Sequence, residues 1–146
     1  MDELTKLLKR TSLFRGLNQA QLASVAALTS IERYNTQEVI INQNTPGDKM
    51  YLIGSGQVEV VVQDRQGQTH SALILGHGQV FGEMALLDQG ERSATVRALE
   101  DDTVLYTLQE PAFTALCKQD TAIGYVMMRN LALDLSFKIR HQNFDY

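Results

Sequence analysis

Two charged residues, Glu83 and Arg92, lie close together in the run Phe81-Gly82-Glu83-Met84-Ala85-Leu86-Leu87-Asp88-Gln89-Gly90-Glu91-Arg92-Ser93-Ala94-Thr95-Val96. Arg92 carries a planar fork of donors that matches the oxygens of a phosphate. Ser93 adds a hydroxyl and a backbone N–H beside it. Gly82 has no side chain, so backbone can come close to a ligand there. Met84 to Leu87 favour a short helical turn, whose first amides have no partner inside the turn. Such amides suit an anion. Glu83 does not fit a phosphate, because two negative groups repel. It fits a neutral hydroxyl, such as a ribose 2′-OH. The plainer alternative is a solvated pair, with Arg92 on the surface and Glu83 as its partner.

The run resembles the phosphate-binding cassette of the cyclic nucleotide-binding domain family. That pattern is Phe-Gly-Glu, a small helical turn, a loop, and then Arg, a small residue, Ala and Thr. All of its parts stand here, as Phe81-Gly82-Glu83, Ala85-Leu86 and Arg92-Ser93-Ala94-Thr95. The resemblance implies that Arg92 pairs with the cyclic phosphate and Glu83 takes the ribose 2′-hydroxyl. Amides of Gly82, Met84 and Ala85, with Ser93 and Ala94, would complete the cradle beside Phe81. It also implies a jelly-roll β-roll (a double-stranded β-helix) between N-terminal helices and a long C-terminal helix, with Gly-rich turns near Gly47, Gly54-Gly56 and Gly76-Gly78 that shape the roll and bring backbone near the ligand. In the family a Thr after the cassette arginine goes with cGMP and an Ala with cAMP. Ser93 lies between them, and bacterial activators with Ser there use cAMP, so cAMP is expected before cGMP. A residue of the last helix should cap the base: Lys138, Ile139 or Arg140, with Met127 and Leu131 as further candidates.

The elements that must hold this run read as one domain of 146 residues, long enough for a real core. Residues 1–30 read as helical. Leu4, Leu7 and Leu8 share one face, and Asn18 with Gln21 has capping-box spacing before a helix over 19–29. Residues 31–108 read as short strands over 38–42, 50–53, 58–62, 71–75, 95–98 and 103–108, separated by Gly, Pro and Asp turns. The cassette occupies 81–96. Residues 109–142 read as helical again, with Pro111 in a first turn and Asp120 or Thr121 as a cap. In the last helix, Ile123, Met127, Leu131 and Leu135 recur every four residues, and Val126, Leu133 and Phe137 widen the stripe. That is more apolar surface than one contact needs, so a homodimer through this helix is expected. Gly124 near its start suits a hinge.

Other chemistries find less support. The net charge is -4 with no basic run, which argues against the chain gripping nucleic acid directly. Cys117 is the single cysteine, so no internal disulfide framework is possible and a reducing, cytoplasmic setting follows. No apolar run reaches the length of a membrane span. His70 and His77 lack the His-x-His pairing with which cupin metal sites begin, so no metal is expected. No nucleophile and base stand together, so no enzyme is expected. The reading is a sensor whose C-terminal helix moves on ligand binding and signals to an unknown downstream protein. Catabolite activators continue into a helix-turn-helix reader, whereas this sequence stops at Tyr146; a stand-alone module is expected. The alternatives are a non-binding scaffold of the same fold, or the sensor part of a longer transcription regulator.

Overall fold

In a computed structural model, residues 2–141 are described. Two four-stranded antiparallel sheets face each other, in the orders β1-β8-β3-β6 and β2-β7-β4-β5. Helices flank the roll at both ends of the chain.

Helix α1 (Glu3–Arg10) starts on Asp2, whose side chain accepts from the Thr5 N–H at 2.7 Å. Leu7 and Leu8 are its buried face. A short 3-10 turn (Ser12–Phe14) leads to α2 (Gln19–Ala26), where the expected capping box forms: Gln21 N–H donates to Asn18 Oδ1 at 2.9 Å and Asn18 N–H to Gln21 Oε1 at 2.8 Å. The helix stops at Ala26, not at Thr29, because the chain must turn to enter β1 (Ser30–Tyr34), which pairs antiparallel with β8 (Thr103–Gln109).

β3 (Lys49–Ser55) lies between β8 and β6 (Val80–Phe81) and is buried on both faces. Its alternation divides the molecule's two cores. Met50 and Leu52 join a helical core with Leu8, Phe14, Leu108, Phe113, Ile123 and Met127. Tyr51 and Ile53 point into the roll with Val58, Val60, Phe81, Val96 and Leu105. A strand covered on both sides reads as a near-continuous apolar run, as Met50-Tyr51-Leu52-Ile53 does.

The second sheet pairs β4 (Val58–Gln63) with β5 (Thr69–Leu75) and β7 (Thr95–Ala98), and β7 in turn with β2 (Val39–Ile41). Sequence periodicity misses β1 and β6. β1 is Ser-Ile-Glu-Arg-Tyr and largely exposed, and β6 has two residues.

Helix α3 (Glu110–Gln119) has Pro at its start and buries Phe113. Asp120 caps α4 (Thr121–Arg140), accepting from Ile123 N–H at 3.2 Å. Ile123, Met127 and Leu131 are buried as the four-residue repeat implies, but Tyr125, Leu133 and Phe137 are exposed. Gly124 is where α4 meets α3: a Cβ there would lie 2.8 Å from the Cys117 carbonyl oxygen. Its missing side chain thus serves close helix packing. Among the described residues no helix is long and apolar enough to cross a membrane.

Candidate functional site

The cassette leaves β6 at Phe81, whose ring stacks on Tyr51 of β3, with centroids 4.8 Å apart and planes 7° from parallel. Gly82 then takes the left-handed region at φ 71°, where a side chain costs about 1–2 kcal/mol. This turns the chain into a 3-10 turn (Glu83–Leu86) anchored by buried Ala85 and Leu86. Within that turn Ala85 N–H donates to the Gly82 carbonyl at 3.2 Å.

Arg92 is reached through a loop stitched to residues 44–47. Arg92 N–H donates to the Thr45 carbonyl at 2.7 Å, its own carbonyl accepts from Asn44 N–H at 2.8 Å, and Gly47 N–H donates to the Gly90 carbonyl at 3.1 Å. The guanidinium folds inward over this turn. Nη2 donates to the Lys49 carbonyl at 2.6 Å and Nη1 to the Gly82 carbonyl at 3.2 Å. Its Cζ stands 5.9 Å from the Tyr51 ring centroid. Gly47 backs the side chain so closely that a Cβ there would lie 2.5 Å from Cζ and 2.8 Å from Cδ.

Arg92 is only 8% exposed. Burial pulls its pKa down, and the negative groups around it, including Asp48 and Glu83, oppose that. An arginine nonetheless keeps its charge. Among the described residues no carboxylate comes within ion-pair distance of it. The solvated pair with Glu83 is therefore not formed. A buried cation held by neutral carbonyls still has N–H donors for an anion.

Beside it opens a cavity of about 230 Å³. Phe81, Gly82, Glu83, Met84, Ala85, Arg92, Ser93 and Ala94 all line it, and Ile41 and Val96 add apolar wall. Arg140, the remaining site residue expected from the sequence, does not line it and is exposed in the last turn of α4. α4 presents Lys138 to the cassette instead. Its ammonium pairs with Glu83 and, at 3.2 Å, with Asp134. Glu83 is 4% exposed. Burial pushes its carboxyl up, and Lys138 pulls it back. Burial also works against the Lys138 charge, but the two carboxylates outweigh it and hold the ammonium above its ordinary pKa.

Gly47, Lys49 and Tyr51 position Arg92 from more than forty residues away. The family resemblance implies a turn near Gly47 that brings backbone near the ligand, but sequence reasoning missed Lys49 and Tyr51. Lys49 is in turn tied to Glu32 at 2.7 Å, and Tyr34 O–H donates to the same carboxylate at 2.6 Å. The histidines have separate partners. His70 Nε2 lies 2.8 Å from Asp64 Oδ2, and His77 Nδ1 lies 2.8 Å from the Gly54 carbonyl oxygen. Among the described residues no group of three or more His, Cys, Asp or Glu could hold a metal ion.

Residues 31–120 match the family model described as "Cyclic nucleotide-binding domain". The chain belongs to this family. It is 31% identical over 138 residues to the cyclic AMP receptor protein of Thermus thermophilus, covering 94% of this chain and 62% of that one. It is likewise 31% identical over 117 residues to a cGMP-dependent protein kinase of Caenorhabditis elegans, covering 79% of this chain and 15% of the kinase. The crystal structure of the Thermus thermophilus catabolite activator protein superposes with a TM-score of 0.82 at 32% identity, over 92% of this chain and 61% of the other. The chain thus spans about three fifths of that receptor protein and much less of the kinase. The jelly-roll domain with a C-terminal helix is the shared part.

Proposed function

We propose that this domain is a sensor that binds a cyclic nucleotide, cAMP in preference to cGMP, and passes the event on through α4. The observation that carries the reading is Arg92: a buried guanidinium beside a cavity, hydrogen-bonded to backbone carbonyls, with no carboxylate within ion-pair distance among the described residues. The phosphate takes the Arg92 fork and the Ser93 hydroxyl, and Glu83 takes the ribose hydroxyl. Ile41, Val96 and Met84 offer apolar surface to the rest of the ligand. Ser93 is the residue on which the cAMP preference rests. The chain acts by binding, with no catalytic step, and as a cytoplasmic protein without a bound metal. The exposed Leu133 and Phe137 on α4 support a homodimer through that helix. A downstream protein would read the change.

Thermal shift tests the reading directly. A ligand at a hundred times its Kd stabilises the folded state by about 2.7 kcal/mol, or roughly 5–10 °C for a chain of this size. cAMP should give this shift at lower concentration than cGMP. Arg92→Ala should abolish it, and near-normal affinity by calorimetry for that variant would refute the assignment. A folded wild-type protein with no shift from either nucleotide would instead support a scaffold of the same fold.

A further inference from the structure

Glu83 stands in the wall between two cavities. On one side is the cassette cavity; on the other is a space of about 380 Å³ under α4, lined with Val80, Asn130, Leu133, Asp134 and Phe137. Its carboxylate meets Lys138 from the last turn of α4, and the Lys138 and Glu83 side chains are 12% and 5% exposed. Asp134, one turn earlier, holds the same ammonium at 3.2 Å. The first half of α4 is fixed by buried Ile123, Met127 and Leu131. Beyond Leu131 the helix offers Leu133, Phe137 and Ile139 to solvent, each more than half exposed. Among the described residues, the Lys138–Glu83 pair, with Asp134 also bonded to Glu83, ties the end of α4 to the cassette.

We propose that Lys138 is an autoinhibitory latch: its ammonium occupies the Glu83 carboxylate that the ligand's sugar hydroxyl must take, so a nucleotide binds by displacing Lys138 and thereby releases the last two turns of α4. This rests on the nucleotide reading above and deepens it. A shielded charge-assisted pair is stronger than a bond to a neutral hydroxyl. The ligand therefore gives up part of its binding free energy to break it, and its apparent affinity falls accordingly. The same exchange supplies the differential interaction that any ligand-driven movement of α4 requires.

The test uses the whole chain with cAMP as the probe. Calorimetry is run on the wild type and on Lys138→Met, which keeps the stem and removes the charge. Amide hydrogen exchange is followed in residues 134–140, with residues 123–131 as internal reference. The latch expects Lys138→Met to bind at least about tenfold more tightly, since the pair no longer has to be broken. It expects cAMP to raise exchange in residues 134–140 of the wild type and not in 123–131. Glu83→Gln should show that raised exchange without ligand. If the wild type binds cAMP but exchange in 134–140 is unchanged, or Lys138→Met binds no more tightly, the latch is overturned and the nucleotide reading stands. Weaker binding by Lys138→Met also overturns it, making Lys138 a lid contact. Binding by Lys138→Met alone, with a silent wild type, supports a strong latch, whereas no binding by either overturns both readings. Should Lys138→Met not fold, the wild-type exchange measurement decides alone.

Discussion

Gly47→Ala isolates the support of Arg92 from Arg92 itself. Gly47 does not occupy the left-handed region, so alanine adds no backbone strain there. The new Cβ would lie 2.5 Å from Arg92 Cζ and 2.8 Å from Cδ. Contacts below about 3 Å to a held side chain cannot persist, so the guanidinium must retreat by roughly 0.5–1 Å. It cannot do so and keep the Nη2 bond of 2.6 Å to the Lys49 carbonyl. A hydrogen bond to a charged group contributes about 1.5–3 kcal/mol. That predicts a melting point lower by about 5–10 °C and nucleotide affinity weaker by about 10–100-fold if the displaced fork loses one phosphate bond. Differential scanning fluorimetry and titration calorimetry with cAMP read the two effects. Gly67→Ala is the control. It lies at the β4–β5 hairpin tip, where φ is +83° and the nearest atom to a Cβ is 3.8 Å away. It should cost about 1–2 kcal/mol from strain and leave affinity unchanged. A folded Gly47→Ala protein with wild-type melting and wild-type affinity would show that Gly47 does not set the guanidinium's position.

Other perturbations separate packing from binding. Phe113→Ala removes a ring with 0% exposure at the centre of the helical core, and a loss of about 3–5 kcal/mol is expected in urea unfolding. Gly124→Ala presses a methyl onto the Cys117 carbonyl and should cost about 1–3 kcal/mol, so an unchanged unfolding midpoint would contradict the α3–α4 contact. Phe137→Glu should shift sedimentation toward monomer while leaving cAMP affinity in place, if α4 forms the dimer. Glu59 accepts from Arg97 at 2.6 Å and from Ser71 at 2.8 Å, and these bonds hold its carboxyl below the ordinary value of 4.5. A depressed carboxylate stabilises the fold above its unfolded pKa and loses that contribution as pH falls through the folded one. Because Arg97 is 40% exposed, the difference between wild type and Glu59→Gln should be under about 1 kcal/mol. It should be present at pH 7 and fade below pH 4.5.

The cassette was legible because its parts are contiguous: Phe81, Gly82, Glu83, Arg92 and Ser93 meet through one turn and one loop. The long helix and its buried repeat at Ile123, Met127 and Leu131 were legible for the same reason, since periodicity is local. What escaped notice depends on residues far apart. Lys49 meets Arg92 only because the loop of residues 44–47 is stitched to residues 90–92. β1 carries little apolar signal and exists because β8 offers it an edge. Lys138 was singled out from its place in the last helix, but as a cap for the base; which group it meets depended on the angle at which α4 crosses the cassette. Arg140, two residues further on, turns away to solvent.

β3, with one face in each core, makes the roll and the helical layer a single cooperative unit. Stripping away α3 and α4 would bare Met50, Leu52 and Leu108 along the outer side of that strand and its neighbour. A trimmed β-roll would thus present a sticky apolar wall and should precipitate or recruit a surrogate helix. Attempts to graft the pocket elsewhere would need to carry the helices with it.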